Sequence, residues 1–464
     1  MTYPDYFQSF DAAAMLKDYP PGPVFLDTFR ALSRDELRAR QENRFQKVVA
    51  RGWEISFYRR LWSEQGLEPG DIKGLNDIGK LPRYSKSDLM ASIDLHPPFG
   101  DFHGMDTYPP EKRPPVVFHT TSGTTGAPQV LFYDARSREL QNLFLSRAFH
   151  VMGLKPEDVV HSVYGHGMIN GGHYVREAFV HYSNSIFLSA GTGNETRSVA
   201  QVELMRRFGV SVIVGFSDYI KKLAQVAGEQ GLKPDHDFSI RMIIAHLGRE
   251  PREAIGGPWG AEHVYDWYGV GDTGIIAFEG PDLDGMHVQE DGHVLEILDD
   301  ETGVPVPDGE DGNMVDTVLF KDDIFPVIRF DTKDVSGFLP GSSSLGLNLR
   351  RIKGFLGRSD NMVKLRGINL YPIAIGAAAV AHPAATGEYV CRAERDATGR
   401  EELVVVVEVE DPANQSVHDS LAAQLKQLFG IQILVELAAK GATAALTEVD
   451  RRQKAIRLID NRKT

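Results

Sequence analysis

From Thr120 to Gln129 the chain reads TTSGTTGAPQ: two glycines and five hydroxyl side chains, directly after the apolar residues Val116, Val117 and Phe118. A strand that ends in such a loop exposes consecutive backbone N–H groups, and the hydroxyls add donors of their own. Glycine reaches backbone angles that other residues avoid, so the loop can wrap a polyphosphate. Read alone, the same ten residues are equally a polar turn. Four further stretches follow in order. DWYGVGDTG (266–274) ends a strand-like run in a loop with one acidic side chain, Asp272, and a tyrosine ring, Tyr268. A carboxylate beside phosphate oxygens needs a cation between them, and Mg²⁺ is the usual one with a nucleotide. FPVIRFDTKD (325–334) puts Asp334 at a strand end, where a carboxylate can accept two hydrogen bonds from vicinal hydroxyls. GRSDNMVKLRGINLYP (357–372) offers the Arg358 fork for ribose or phosphate oxygens, with Asp360 at a compositional joint. RRQKAIRLIDNR (451–462) carries Lys454, which by composition alone is part of a solvated basic tail.

These residues need a scaffold of more than one core. A chain of 464 residues exceeds what a single core usually supports, so two or three domains are expected. The net charge of −14 argues against a grip on nucleic acid or anionic membrane by bulk charge, so an anionic ligand requires local donors or a metal. The single cysteine, Cys391, excludes an internal disulfide and a cysteine-rich zinc site; in EYVCRA it reads as a small buried hydrophobe. None of the 15 histidines falls into a metal-ligand spacing. The N-terminal MTYPDYFQSF has neither a basic nor an apolar signal region, and apolar runs such as VIVGF are too short to span a bilayer, so a cytoplasmic protein is expected.

RDELRARQENRFQKVVARGW repeats apolar residues near the helical period. Between about Val116 and Val270, helical stretches (AQVELMRRFG, DYIKKLAQVAGEQG) alternate with short apolar runs (VSVIVGF, IRMIIAH), which implies α/β layering on a largely parallel sheet. From Met286 to Phe320, alternating segments between the turn clusters DDETG and PDGEDG predict antiparallel β structure. After the Gly/Ser-rich boundary near LPGSSSLGLNL come a strand (EELVVVVEVE), a helix (HDSLAAQLKQLFG) and a basic tail.

Together and in this order, the motifs resemble the adenylate-forming superfamily of acyl-CoA synthetases, most closely the phenylacetate–CoA ligase family. FYRRLWSEQGLEPGDIKGLNDIGKLP looks like that family's N-terminal helical region, YGHGMINGGHY (164–174) its acid-pocket loop, and GREP (248–251) its adenine-side turn. The resemblance covers nearly the whole chain. It implies an α/β fold: a large N-terminal domain (1–358) with layered, mostly parallel sheets and a β subdomain, and a small mobile α+β C-terminal domain (361–464). It also implies a two-step reaction, in which a carboxylate attacks the α-phosphate of ATP and a thiol of coenzyme A then displaces AMP.

By the same resemblance, Thr121, Ser122, Gly123, Thr124, Thr125 and Gly126 would hold the β- and γ-phosphates, and Asp272 would bind Mg²⁺. Gly248, Glu250, Pro251, Asp266, Tyr268 and Gly269 would surround the nucleotide, Tyr268 stacking on adenine, while Asp334 and Arg358 would hold the ribose side. Lys454 would be the catalytic lysine, stabilising charge between carboxylate and α-phosphate. Asp360 would be the hinge about which the small domain turns, withdrawing Lys454 and presenting the face around Gly367 to CoA. Tyr164, His166, Gly167, Met168 and Phe216 would line the acid pocket. Tyr164, Met168 and Phe216 suit a flat apolar ring, so an aryl or cyclic acid is expected. His166, His173 and Arg176 either answer a polar substituent or partner the fold's own groups.

Several positions depart from the wider pattern. Gln129 stands where the phosphate loop usually ends in lysine, a residue that the phenylacetate–CoA ligase branch also lacks. Gly271 and Asp272 stand where a Ser or Thr and a Glu are usual, leaving Thr273 as the nearest hydroxyl, and Gln453 replaces a glycine. The acceptor is left open between CoA and an amine, the latter giving an amide. A P-loop kinase is disfavoured because GTTGAPQ lacks the Gly-Lys-Ser/Thr ending. A non-catalytic nucleotide-binding regulator draws support only from the departures. Members of the family are often homodimers; neither nucleic acid nor membrane is expected as a partner.

Overall fold

In a computed structural model the chain is described over residues 5–121, 129–365, 368–396, 399–448 and 455–462. Ser122, Gly123, Thr124, Thr125, Gly126, Gly367 and Lys454 lie outside the described residues. The chain divides into two compact units. The first comprises residues 1–247, 252–332 and 336–354; the second comprises 248–251, 333–335 and 355–464.

A nine-stranded sheet organises the first unit. Five of its strands are parallel: Ile186–Ser189, Val159–Ser162, Val212–Phe216, Met242–His246 and His263–Val270, in that spatial order. Ile213, Val214, Met242, Ile243 and Ile244 are fully buried, as apolar runs covered on both faces must be. Helices Ser198–Arg207 and Ser217–Glu229 are the crossovers that the alternating sequence predicts. At His263–Val270 the sheet changes character, because a short loop returns the chain antiparallel as Gly274–Glu279. Three short antiparallel strands, Met286–Val288, Arg351–Ile352 and Phe338–Leu339, complete it. A second sheet pairs His293–Leu298 antiparallel with Gly312–Val318, as the DDETG and PDGEDG turn clusters predict.

One local pairing differs from the largely parallel pattern expected between Val116 and Val270. Val116–Thr120 and Val130–Asp134 form a separate antiparallel pair, in register Thr120↔Val130. The nine intervening residues are too few for a parallel return, which needs a crossover of about a dozen or more.

Helix Ala135–Val151 follows directly, capped by the Asp134 carboxylate, which accepts from Ser137 N at 2.9 Å. It is buried on nearly every face, so its polar residues need internal partners. Arg147 is 0% exposed: Nη1 lies 3.1 and 3.0 Å from the two oxygens of Asp291, Nε donates to Pro20 O, and the guanidinium packs over the rings of Phe25 and Phe144. Asp291→Ala leaves this charge buried without its counter-ion. The expected loss is about 3–5 kcal/mol of stability, measured as a lower urea midpoint.

The second unit carries a four-stranded sheet in the order Leu434–Ala439, Glu401–Val409, Ala385–Arg395, Leu458–Asp460. Val405 and Val407 of that sheet pack with Leu421 and Leu425 of helix Gln415–Phe429, which starts at the Asn414 cap and ends at Gly430 with φ +68°. Cys391 is buried in this core, as its apolar neighbours predict. Among the described residues, no helix is long and apolar enough to cross a membrane, and no group of three or more His, Cys, Asp and Glu is placed to hold a metal ion by itself.

Candidate functional site

The strand Val116–Thr120 delivers Thr121 to the start of the Gly/Thr loop, and Gln129 closes the loop with its carbonyl accepting from Thr121 N at 3.0 Å. Gln129 is fully buried, and its Nε2 donates to Asp272 Oδ1 at 2.5 Å. The end of the first motif therefore touches the acidic residue of the second across 143 positions of sequence. Asp272 sits in the turn between strands His263–Val270 and Gly274–Glu279. That turn is held from below: Tyr133 Oη donates to Gly271 O at 2.8 Å, Asn170 Nδ2 donates to Tyr133 Oη, and Lys321 Nζ donates to Asp272 O. Gly269 is required where the hairpin closes, since a Cβ there would stand 2.2 Å from Gly274 O. A Cβ at Gly271 would meet Leu131 Cδ1 at 2.9 Å, so the serine or threonine usual in the family would displace a buried leucine. Thr273 does not replace that hydroxyl, because its Oγ1 donates to Gly274 O at 2.9 Å.

Two lysines that the sequence did not single out complete this constellation. Lys86 Nζ donates to Thr121 Oγ1 at 3.1 Å, so a cation stands at the mouth of a loop that itself lacks lysine. Lys321 is 1% exposed, with its ammonium over the rings of Tyr133 and Phe325. Burial pulls Lys321 down to about 8, against the attraction of Asp272, Asp134 and Asp316. Burial raises the Asp272 carboxyl, while the Gln129 hydrogen bond and the charges of Lys321 and Lys86 oppose the rise. The donor set suits a hard cation. Asp272 Oδ1 accepts from Gln129, the backbone N–H of Asp272 also favours its carboxylate, and Gln129 Oε1 is a buried amide oxygen with no partner among the described residues. Mg²⁺ favours such oxygens and keeps several waters.

The residues expected to line the acid pocket lie on the same unit. The loop 164–170 is tied to the phosphate-loop strand by Thr120 N donating to Met168 O at 2.8 Å. Its shape is fixed by His173 Nε2, which donates to the carbonyls of His166 and Gly167. His166 Nε2 pairs with Ser189 Oγ at 2.6 Å, and Arg176 is exposed. The two histidines thus serve the loop itself. Tyr164 is buried with its ring 5.0 Å from Phe216 and 6.1 Å from His246, and His246 packs 4.4 Å from Trp267. Met168 and Gly167 are exposed. On the strand His263–Val270, Tyr268 is buried and Asp266 turns its carboxylate to Trp267 N. Burial and the neighbouring Glu279 push Asp266 well above the usual carboxylate range.

Behind the loop strand, His119 accepts from Arg138 Nη1 at 3.1 Å, while Arg138 forks onto Glu177. Burial, then Arg138 and His173, bring His119 down to about 4; burial alone does the same to His161, which pairs with Gln201. Both rings stay neutral in the fold while the unfolded chain takes up protons below its ordinary histidine pKa of ~6.5. Stability therefore falls as pH drops from ~6.5 towards 4, by about 3 kcal/mol per histidine once the pH is below both values. The urea midpoint of His161→Gln is expected to fall less steeply across that window than that of the parent chain.

In the second unit, Asp334 pairs in register with Arg358, and Lys333 just before it adopts φ +59°. Arg358 Nη1 reaches Asp334 Oδ1 at 3.1 Å, while Nε and Nη2 fork onto both oxygens of Asp360 at 2.8 and 2.6 Å. Gly357, at φ +152°, admits the Tyr371 ring, which a Cβ there would strike at 2.5 Å. Gly248, at φ +58°, begins the exposed turn that includes Pro251, with Glu250 half-buried.

The family of AMP-binding enzymes matches residues 14–315, and the AMP-binding enzyme C-terminal domain matches residues 367–462. A phenylacetate-coenzyme A ligase of Aromatoleum evansii is 30% identical over 460 residues, 95% of this chain and 98% of its own. Another, from Thermus thermophilus, is 31% identical over 402 residues, 84% of this chain and 85% of its own. Among solved structures, 2-hydroxyisobutyryl-CoA ligase in its postadenylation state, in complex with 2-HIB-AMP, matches with a TM-score of 0.80 at 26% identity. That match covers 93% of this chain and 91% of the other.

Proposed function

The chain belongs to the AMP-binding enzyme family, beside the phenylacetate–coenzyme A ligases, and from that premise we propose that it is an AMP-forming acid–CoA ligase. A carboxylate oxygen attacks the α-phosphorus of ATP and pyrophosphate leaves. The thiol of coenzyme A then attacks the acyl carbon, and AMP leaves. The observation that carries the reading is the contact between Gln129, at the end of the Gly/Thr loop, and the buried Asp272. It joins the end of the loop best suited to a polyphosphate to a carboxylate, with Lys86 on Thr121 and Lys321 on the Asp272 carbonyl.

In this reading the loop 121–126 holds the β- and γ-phosphates, and Lys86 supplies the positive charge that Gln129 cannot. Asp272 would hold Mg²⁺, which when bound would supply positive charge against the phosphates. Asp334 and Arg358 serve the ribose, and Lys454 acts at the α-phosphate. The Tyr164–Phe216 pair, with His246 and Trp267 beyond it, supports an aryl or cyclic acid, since aromatic rings favour edge-to-face partners. His166 and His173 are engaged with the loop and Ser189, which argues against a second carboxylate on the acid. The test is acid-dependent exchange of labelled pyrophosphate into ATP, across a panel of aryl, cyclic and short hydroxy acids, with no CoA present. Exchange highest with aryl or cyclic acids supports the reading. Exchange confined to short hydroxy acids overturns the acid assignment, and ADP as product overturns the chemistry.

A further inference from the structure

Gln129 and Asp272 are both departures from the pattern of the wider family, and they touch. Where that family has a lysine at the loop's end and a glutamate in the turn, this chain has a shorter, neutral amide that can donate to a carboxylate shortened by one methylene. We infer that the two are a matched pair: Gln129 is a positioning residue that anchors Asp272 by Oδ1 so that Oδ2 alone is presented to the nucleotide's cation. This rests on the proposed role of Asp272.

The geometry makes the anchoring specific. Gln129 Nε2 to Asp272 Oδ1 is 2.5 Å, both side chains are buried, and no other described side chain hydrogen-bonds the carboxylate. The backbone beneath is fixed independently, with Tyr133 on the Gly271 carbonyl and Lys321 on that of Asp272. The remaining freedom of Asp272 is rotation of its short side chain, and the amide removes it. A carboxylate so held offers one oxygen in a fixed direction, which suits an ion that demands near-octahedral geometry. Groups that orient a metal ligand without touching the metal typically matter by about 10–100-fold in metal affinity.

The experiment measures Mn²⁺ binding to the protein–ATP complex by electron paramagnetic resonance, with no acid present, so that turnover plays no part. Gln129→Leu, which keeps the bulk and loses the donor, is expected to weaken Mn²⁺ by about 10–100-fold. ATP affinity without metal should stay within about twofold, a split that simple misfolding does not produce. Gln129→Asn and Asp272→Glu each break the match of lengths and are expected to weaken Mn²⁺. The double variant Gln129→Asn/Asp272→Glu moves one methylene across the contact and is expected to recover Mn²⁺ affinity to within about threefold of the parent. Gln129→Leu binding Mn²⁺ like the parent, or a double variant as weak as the product of the singles, overturns the matched pair. Should Gln129→Leu not fold, the double variant decides alone. A parent protein that binds ATP but no Mn²⁺ overturns instead the assignment of Asp272 itself.

Discussion

Lys454→Ala is expected to lower acid-dependent pyrophosphate exchange by about 10²–10³-fold, the usual effect of removing a group aimed at developing charge. As the carboxylate approaches the α-phosphorus, two anions are forced together, and no neutral side chain can offset that charge. The second half-reaction has no such demand, because the acyl-adenylate is already formed. Thioester formation from synthetic acyl-adenylate and CoA is therefore expected to stay within about tenfold of the parent, since it forgoes at most about one tenfold step of transition-state energy. The two rates are measured separately, by exchange and by rapid quench. An equal loss in both would mean that Lys454 supports folding of the small unit rather than the first step.

Asp272→Asn is the second large effect. The substitution keeps shape and removes charge, and the supports of the turn do not depend on the carboxylate: Lys321 binds the backbone carbonyl and Tyr133 that of Gly271. The turn is expected to hold, with a urea midpoint somewhat below the parent's, because the buried Lys321 loses the attraction of Asp272 and keeps that of Asp134 and Asp316. Exchange is expected to fall by about 10²-fold or more, because an amide neither neutralises nor firmly coordinates the cation, and each 1.36 kcal/mol of lost stabilisation is tenfold. Raising Mg²⁺ should recover part of the rate if binding is what fails. A variant as active as the parent at ordinary Mg²⁺ would remove Asp272 from the site.

Much of this was legible in the chain because it is local. The periodicity of residues 34–53 predicts the helix that forms over Arg34–Glu54, and the apolar runs at 210–216 and 240–246 predict the parallel strands Val212–Phe216 and Met242–His246. Arg358 and Asp334 were singled out by type and spacing and prove to be paired by strand register. What stayed hidden is long-range. Lys321 stands before two aspartates at a strand end, a pattern that reads as a solvated turn; only tertiary packing buries its ammonium beneath a carbonyl 49 residues earlier. Lys86 is the first residue of helix Lys86–Leu95, and nothing in RYSKSDL points to Thr121. Gln129 was visible as a departure, but its partner was not. His166 and His173 looked able to meet a substrate, and their engagement with loop carbonyls and Ser189 could not be read from YGHGMINGGHY. A buried lysine beside an aspartate has no sequence signature of its own, whereas the separate antiparallel pair at the phosphate loop follows from counting its nine connecting residues.

The most direct test of the central claim counts products. The protein is incubated with ATP, Mg²⁺ and the acid that best supports exchange, and AMP, pyrophosphate and acyl product are quantified with CoA, with amino acids, and with neither. The expected result is AMP, pyrophosphate and acyl-CoA in equal amounts, with steady turnover only when CoA is present. Steady turnover with an amine and none with CoA would contradict the thioester step, and AMP formation independent of any acid would contradict acid activation altogether.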